Sequence, residues 1–252
     1  RHKYGFTLPN VLAEYMLNPE LRKIEIEEEP LPTNYEKVYR NSGIVRIRRD
    51  NRSLTLLNNN SKFLFFHLGE LRCYLKFGAS FFGAAQFQAE EIKKDGDRYI
   101  LESTAHGNYF LPFEYPPETS DWHEMDHSQR EIVTELELNM KVIIEEIEDG
   151  VKLRFKTAGC DRVPVKIELG FSPGNLIKGE NFMLTGEAGQ SIVQSGAVEV
   201  KNRNESIKVE SGFAKHNYAS NMRGTEAPGE NRFTVYFTDY TNIDRELTMK
   251  GK

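Results

Sequence analysis

One short stretch of the chain has the side-chain types and spacing of a zinc-dependent peptidase site. His123, Glu124 and His127 match the pattern H-E-x-x-H. On a helix this pattern places two imidazoles on one face, where both bind zinc while the glutamate activates a water. Here Pro116-Pro117 lies upstream and a long strand begins just downstream, which leaves space for barely two helical turns. We therefore expect no protease site. His123 and His127 stay candidates for a divalent metal or a sugar contact, with a polar loop as the main alternative.

A second group of residues has the chemistry of sugar recognition. Such recognition needs an aromatic face that stacks on the ring and a few amide, imidazole or carboxylate groups for the hydroxyls. His106, Asn108 and Tyr109 end a predicted strand, and Trp122 lies in a polar loop. These four residues are the predicted carbohydrate-binding site. The alternative is that His106 and Tyr109 are ordinary sandwich residues.

Arginines on one predicted strand could extend this chemistry to acidic sugars. Arg46 and Arg48 alternate with apolar residues and therefore share a face, and Arg52 follows closely. Guanidinium groups bind carboxylate or sulfate in a bidentate manner, which a polymer containing uronic acid would offer. The alternative is a solvated strand face.

The elements that must position these residues are strands. From Ile132 to Ile144 apolar residues recur at every second position, with Thr134 as the one break, and this period predicts one long strand. Asp149-Gly150 then indicates a tight hairpin into a second alternating run. A two-residue turn there would pair Glu145 with Arg154 and Ile144 with Phe155, a register in which both charge and apolarity agree.

The rest of the chain beyond Ser42 shows short apolar runs between turn signals and no competing helical pattern. This predicts an all-β fold, a large antiparallel two-sheet supersandwich. The other predicted strands are Ile44–Arg49, Ser53–Leu57, Phe63–Leu68, Leu71–Phe77, Phe87–Lys93, Arg98–His106, Pro164–Phe171, Leu176–Gly179, Ser191–Gln194, Ala197–Lys201, Ser206–Glu210 and Phe233–Tyr240.

Composition excludes several classes of function. The chain has 252 residues and a formal net charge of −5, so nothing attracts it generally to nucleic acid or to anionic membranes. No apolar run approaches the roughly 20 residues that cross a bilayer. Cys73 and Cys160 lie in strand-like sequence, and we expect both to be buried thiols. The two cysteines do not indicate the cellular compartment of the protein.

The first 34 residues are predicted to be a short N-terminal helix and a linker. Leu8, Val11, Leu12, Tyr15 and Met16 form an apolar helical stripe that Asn18-Pro19 ends. Glu25–Glu29 with the prolines after it indicates a linker, which gives domains of 1–34 and 35–252. Because a helix this short is marginal alone, its stripe must pack on something. That is either the β domain of this chain or a missing helical domain. The opening Arg1-His2-Lys3, without an initiating Met, favours a fragment of a longer protein.

Several short motifs of the β region resemble a known family. They are Val163–Leu169 followed by Phe171-Ser172-Pro173-Gly174, then Gly196–Val200, Ile207–Val209 and Arg232–Thr238. They resemble the C-terminal β domain of bacterial heparinase II/III-like polysaccharide lyases, a supersandwich similar to the galactose mutarotase fold. The likeness covers most of Ser42–Lys252. It implies that a helical α/α toroid, which carries most of the catalytic residues in such lyases, would precede this domain.

The resemblance implies a carbohydrate-associated domain that braces the toroid and lines a glycan cleft without being catalytic alone. Its partners would be a polysaccharide or oligosaccharide and the toroid, with no required cofactor, although related lyases hold a divalent ion here. It leaves the bacterial periplasm and cytoplasm open. One alternative is a mutarotase-like sugar epimerase, which needs an acid and a base such as His106 and Glu168. Another is a purely structural or partner-binding sandwich.

Overall fold

The computed structural model describes residues 7–21, 23, 29–83, 85–219 and 222–252. These form two compact units, of which one ends at Pro32 and the other is Thr33–Lys252. In the first unit, helix α1 spans Thr7–Leu17 and ends before Asn18-Pro19, as the sequence predicts. Its side chains Val11 and Met16 are 66% and 68% exposed. The predicted linker Glu25–Glu29 falls almost entirely outside the described residues.

The second unit consists of strands joined by turns and irregular segments. The described strands are β1 Asn34–Tyr39, β2 Ile44–Arg49, β3 Arg52–Leu57, β4 Leu64–Leu68, β5 Leu71–Ala79, β6 Ile92–Asp95, β7 Arg98–Phe110, β8 Ile132–Ile147, β9 Gly150–Ala158, β10 Pro164–Phe171, β11 Leu176–Lys178, β12 Met183–Thr185, β13 Ser191–Val193, β14 Gly196–Lys201, β15 Ser206–Gly212, β16 Phe233–Tyr240 and β17 Asp244–Gly251. No helix in the described residues is long and apolar enough to span a membrane.

These strands form two large sheets, which confirms the predicted all-β sandwich with a short N-terminal helix. The eight-stranded sheet has the order β1-β2-β3-β4-β5-β10-β16-β13, and the nine-stranded sheet has the order β12-β11-β14-β15-β17-β9-β8-β7-β6. Neighbouring strands are antiparallel except β13 and β16, which are parallel. The β7–β8–β9 meander lies toward one edge of the nine-stranded sheet, next to the edge strand β6, and its long strands present one apolar and one polar face.

The core lies between the two sheets and is rich in phenylalanine. Phe77 of β5 and Phe155 of β9 join the sheets directly, with their rings edge to face and their centroids 5.2 Å apart. Both side chains are fully buried. Burial of each such side chain contributes about 1.5–3 kcal/mol, and the edge-to-face contact adds about 0.5–1.5 kcal/mol. This aromatic layer fixes which strand faces point outward and therefore where surface chemistry can lie.

The β8–β9 hairpin exists, but its predicted register is wrong by two residues. Glu145 pairs with Lys152 and Ile144 with Leu153, so Glu148-Asp149 forms the turn. Gly150 is not a turn residue: a Cβ there would lie 1.8 Å from the Met249 carbonyl oxygen of β17. The glycine thus serves the close approach of a neighbouring strand. Because the shift is even, every side chain keeps its predicted face.

Two other sequence predictions are wrong at positions where an apolar residue does not lie on the buried face of a strand. The predicted strand Phe87–Lys93 is irregular up to Glu91, and only Ile92–Asp95 is a strand. Phe87 is nevertheless fully buried. It packs in the core from an irregular segment and not from a strand. Cys73 is buried as expected, whereas Cys160 is only partly buried and follows β9 in a bend.

Candidate functional site

His106 and Asn108, two of the four predicted sugar-binding residues, lie side by side on one surface. Both are on β7, where the odd-numbered Leu101 and Ala105 point into the core. The even-numbered residues therefore point outward, onto the outer face of the nine-stranded sheet. The His106 side chain is 67% exposed, and its Nδ1 lies 3.4 Å from Glu137 Oε1 on the paired strand β8. The sheet thus displays these residues without burying them.

This outer face carries three adjoining depressions, which we call the polar groove. Their volumes are about 590, 680 and 720 Å³. His106 lines both the 590 Å³ and the 680 Å³ depressions, and Thr104 lines both the 590 Å³ and the 720 Å³ depressions. Asn139 lines both the 680 Å³ and the 720 Å³ depressions. Thr104 Oγ1 donates a hydrogen bond of 2.8 Å to Asn139 Oδ1. The groove is therefore continuous across β7 and β8, and short polar side chains form its floor.

Ion pairs between neighbouring strands organise the charges of the polar groove. Lys141 lies 2.8 Å from Glu102, and Arg154 lies 2.6 Å from Asp244. The hydrogen bond from Lys141 holds the pKa of the Glu102 carboxyl below its usual range, and the bond from Arg154 does the same for Asp244. Carboxylates outnumber ammonium groups in the lining, which contains Glu90, Glu91, Glu102, Glu135, Glu137 and Asp244 against Lys93, Lys141 and Lys156.

Tyr109, the third predicted residue, points away from the polar groove. Its ring packs edge to face on Phe82, with the ring centroids 5.1 Å apart. Phe82 in turn contacts the buried Phe81. Tyr109 is still 58% exposed, so it is not a core residue. The structure therefore places it at the end of β7, on the opposite face from His106 and Asn108.

Trp122, the fourth predicted residue, belongs to an exposed cluster in the loop between β7 and β8. The guanidinium carbon of Arg130 lies 5.1 Å from the centroid of the Phe110 ring, and 5.7 Å from those of Phe113 and Trp122. Trp122 is 57% exposed. Since Phe110 follows Asn108 by two residues on β7, this aromatic–arginine cluster lies beyond the end of the polar groove. The four predicted residues thus do not form one site.

The H-E-x-x-H stretch lies in this same loop. It does not form the continuous α-helix that would place both histidines on one face for zinc. Residues 122–124 form a turn, and only a three-residue 3₁₀ helix, His127–Gln129, follows. The His127 Nε2 atom lies 2.7 Å from the Trp122 carbonyl oxygen and is already hydrogen-bonded. Among the residues that the structure describes, no group of three or more His, Cys, Asp or Glu side chains could hold a metal ion.

The arginines considered for acidic sugars are engaged within the fold. Arg46 donates to Thr55, and Arg48 Nε donates to the Asp50 carbonyl oxygen at 3.1 Å. Arg52 lies 3.2 Å from Glu146 of β8 and is mostly buried. Each of these three guanidinium groups thus bonds to a neighbouring part of the fold.

The structure also contains a buried polar cluster that the sequence analysis missed. On the outer face of the eight-stranded sheet, Glu168 of β10 is directly opposite Lys76 of β5 on one side and Tyr236 of β16 on the other. Tyr74 donates a hydrogen bond of 2.9 Å to Glu168 Oε1. The cluster consists of Tyr74, Lys76, Lys166, Glu168, Thr234 and Tyr236, all of them buried.

Residues 213–219 and 222–232 lie over this cluster, and we call them the covering segment. Lys166 Nζ donates to the Ala219 carbonyl oxygen at 2.8 Å, and Lys76 Nζ donates to that of Ala227 at 3.3 Å. Lys76 also lies 3.0 Å from Glu226, whose side chain is 45% exposed. Both lysines therefore join the sheet to the covering segment. Alternating charges on a strand usually indicate a solvated face, which is why the sequence did not reveal this cluster.

Burial shifts the protonation equilibria in the cluster. Desolvation raises the pKa of the Glu168 carboxyl above its usual value, although Lys76 and Lys166 oppose the shift. Desolvation lowers the pKa of the Lys166 ammonium. Burial and the neighbouring Glu168 raise the pKa of the Tyr236 hydroxyl. Perturbed groups of this kind are typical of functional sites, although structural ion-pair networks produce them as well.

The position of Glu168 in this buried cluster bears on the acid and base pair, His106 and Glu168, that was considered for an epimerase. His106 lies on the outer face of the nine-stranded sheet, and Glu168 lies beneath the covering segment on the eight-stranded sheet. The core separates the two faces, so the pairing of His106 with Glu168 is wrong.

Comparisons with family models, with curated proteins and with solved structures found no match to this chain.

Proposed function

We propose that this chain is a carbohydrate-binding β-sandwich domain of a polysaccharide-degrading enzyme, and that a glycan chain lies along the polar groove. The observation that carries the proposal is the continuity of the groove across β7 and β8, with Thr104, His106, Asn108 and Asn139 exposed or half-exposed along it. Amide, imidazole and hydroxyl groups in a row suit the repeating hydroxyls of a polymer. The resemblance to heparinase II/III-like lyases supports the same class of ligand.

The charges of the polar groove favour an uncharged glycan. Because its carboxylates outnumber its ammonium groups, a polyuronate would meet repulsion along most of its length. The arginines considered for acidic sugars lie on the eight-stranded sheet, outside this groove. We therefore place neutral polysaccharides first among the ligands and polymers of uronic acid second.

The aromatic–arginine cluster supports a second role, contact with a helical partner domain. Exposed apolar side chains continue from this cluster onto the paired ends of β7 and β8, where Phe110, Leu111, Ile132 and Val133 are each 39–58% exposed. Aromatic residues and arginine are enriched at protein interfaces. Bracing of a catalytic toroid by this end of the sandwich would leave the polar groove free for glycan.

The glycan proposal is tested by titrating the chain with a soluble neutral β-glucan and with a polygalacturonate, using affinity electrophoresis or calorimetry. We expect the β-glucan to bind, and we expect Asn108→Ala and Asn139→Ala each to weaken that binding several-fold, since each removes about one hydrogen bond. Asn231→Ala, an exposed asparagine in the covering segment, is the matched control and should bind as the wild type does. Equal binding by all three variants would overturn the placement in the groove.

A further inference from the structure

The buried polar cluster contains hydrogen-bonding groups that the fold does not use. Glu168, Thr234 and Tyr236 are 1%, 1% and 0% exposed. Glu168 Oε2, Thr234 Oγ1 and the Tyr236 hydroxyl nevertheless have no hydrogen-bond partner among the described residues. Buried polar groups in proteins are almost always hydrogen-bonded, because desolvation without a bond is costly. Three such groups in one cluster therefore point to a bound molecule.

The three residues lie close together on the same face of the eight-stranded sheet. Glu168 and Tyr236 are direct partners in the pairing of β10 with β16, and Thr234 precedes Tyr236 by two residues on the same face. Lys166 Nζ lies 4.0 Å from Glu168 Oε2, too far for a direct hydrogen bond, and 5.2 Å from the centre of the Tyr236 ring. One carboxylate oxygen, two hydroxyls and one ammonium group thus belong to neighbouring residues on one part of this sheet face, beneath the covering segment.

The charges at this position exclude a strongly ionic ligand. Lys76 and Lys166 carry two positive charges, and Glu168 and Glu226 carry two negative charges within 4.0 Å of them. A charged ligand would disturb this balance in a buried setting, where uncompensated charge is most costly. A neutral ligand with adjacent hydroxyls fits, since one hydroxyl can donate to Glu168 Oε2 while the next accepts from Tyr236 or Lys166.

We propose that the buried polar cluster binds a small neutral polyhydroxylated molecule, a monosaccharide or a polyol, beneath the covering segment. The ligand reaches the cluster beside Glu226, whose side chain contacts Lys76 and is 45% exposed. The covering segment contains no helix or regular strand among its described residues. Residues 213–216 are hydrogen-bonded to β16, whereas polar contacts from Lys76, Lys166 and Ser61 hold the part that includes Ala219, Glu226 and Ala227. Displacement of that second part does not require any sheet to unfold. This site is independent of the polar groove and does not rest on glycan binding there.

Ligand-detected NMR and calorimetry with D-glucose, D-galactose and myo-inositol test the proposal on the full chain. We expect saturable binding of at least one of the three, with a dissociation constant of about 1 mM, as is ordinary for a few hydrogen bonds to a small ligand. Tyr236→Phe and Thr234→Val keep the side-chain shape and remove one hydroxyl each. Each should weaken binding by about three- to tenfold. Tyr39→Phe, on the exposed edge strand β1, is the control and should not change binding.

The stability of the same variants separates a ligand site from a structural network. Because the Tyr236 hydroxyl has no partner in the fold, Tyr236→Phe should unfold at the wild-type temperature or above it. Absence of saturable binding of all three compounds would overturn the proposal. So would wild-type affinity in both Tyr236→Phe and Thr234→Val. Retained binding in His106→Ala shows that the compound binds outside the polar groove, and loss of binding in that variant would also contradict the proposal.

Discussion

Lys76 and Glu168 occupy directly paired positions of β5 and β10, and Lys76 Nζ lies 3.7 Å from Glu168 Oε1. The two side chains are 4% and 1% exposed, at the centre of the outer face of the eight-stranded sheet. This part of the sheet face is shielded from solvent, because the covering segment lies over it. The molecule thus carries polar chemistry on both outer faces, open on the nine-stranded sheet and closed on the eight-stranded sheet.

Removal of the Lys76 ammonium should be strongly destabilising. Lys76→Met keeps the aliphatic volume but leaves the Glu168 carboxylate buried with weaker compensation, and broken buried pairs cost about 3–5 kcal/mol. Urea denaturation measures the effect. Lys93→Met is the matched control, because Lys93 pairs with Glu102 on an exposed face and surface pairs contribute about 0–1 kcal/mol. Equal losses of stability in the two variants would show that the buried pair has no special role.

A methyl group at Gly170 should disturb the same cluster. Gly170 lies on β10 opposite Tyr74, and a Cβ there would come within 2.2 Å of the Tyr74 ring. Tyr74 cannot move away without losing its bond to Glu168, so we expect Gly170→Ala to lose about 1–3 kcal/mol, as overpacking does. In a double-mutant cycle, Tyr74→Ala should recover part of this loss. Strictly additive losses would contradict the proposed clash.

Stability should fall on acidification because of His216. Its Nε2–H donates to the carbonyl oxygens of Val165 and Asp239, and its Nδ1 accepts from the Tyr218 N–H. Desolvation lowers the pKa of the imidazole, although the bonds to Asp239 and Val165 oppose the shift. A base whose pKa is lowered in the folded state binds fewer protons there than when unfolded. Stability is therefore present above pH about 6.5 and is lost as the pH falls below it.

Denaturation at several pH values between about 5 and 8 checks this expectation. The wild type should lose stability across the window in which the unfolded imidazole takes up its proton. His216→Gln should lose less stability over the same interval, since the glutamine at position 216 does not titrate there, whereas the other histidines of the chain remain. Asp239 also faces this site and is paired with Arg245, so Arg245→Gln serves to separate the two contributions. An identical pH profile for the wild type and His216→Gln would contradict the assignment.

Trp122 should matter for binding and not for folding. It is 57% exposed and its ring contacts Arg130 and His127, so Trp122→Ala should change the unfolding free energy by about 0.5 kcal/mol or less. If glycan or a partner domain reaches this end of the sandwich, the loss should weaken binding by about 1 kcal/mol or more. Tyr39→Ala is the control for loss of an exposed aromatic elsewhere. A collapsed thermal midpoint with unchanged affinity would show that Trp122 is structural.

The sequence predicts the strands whose apolar residues alternate and whose ends carry turn signals. Strands β2, β10 and β16 have the predicted bounds for this reason. Strand β17, Asp244–Gly251, was not predicted, because only Leu247 and Met249 are apolar within a mostly charged run. Strand β1 was not predicted either, because an exposed edge strand needs no apolar face. Neither strand has a local signal: β1 forms by pairing with β2, and β17 by pairing with β9 and β15.

The candidate sites show the same limit. His106 and Asn108 have the predicted strand position, and alternation alone places them on one face. The opposite direction of Tyr109 follows from the same alternation. What the sequence could not show is burial by the covering segment, which turns Lys76, Lys166 and Glu168 from an apparently solvated row into a closed cluster. Such burial depends on a loop from a distant part of the chain.

Glycan binding along the polar groove is tested most directly by amide chemical-shift mapping of the labelled chain during titration with a neutral β-glucan oligosaccharide. The account predicts saturable shifts concentrated on β7 and β8 at Thr104, His106, Asn108 and Asn139. It also predicts that the covering segment is unaffected. Saturable binding without changes on these strands, or no binding of any neutral oligosaccharide, would contradict it.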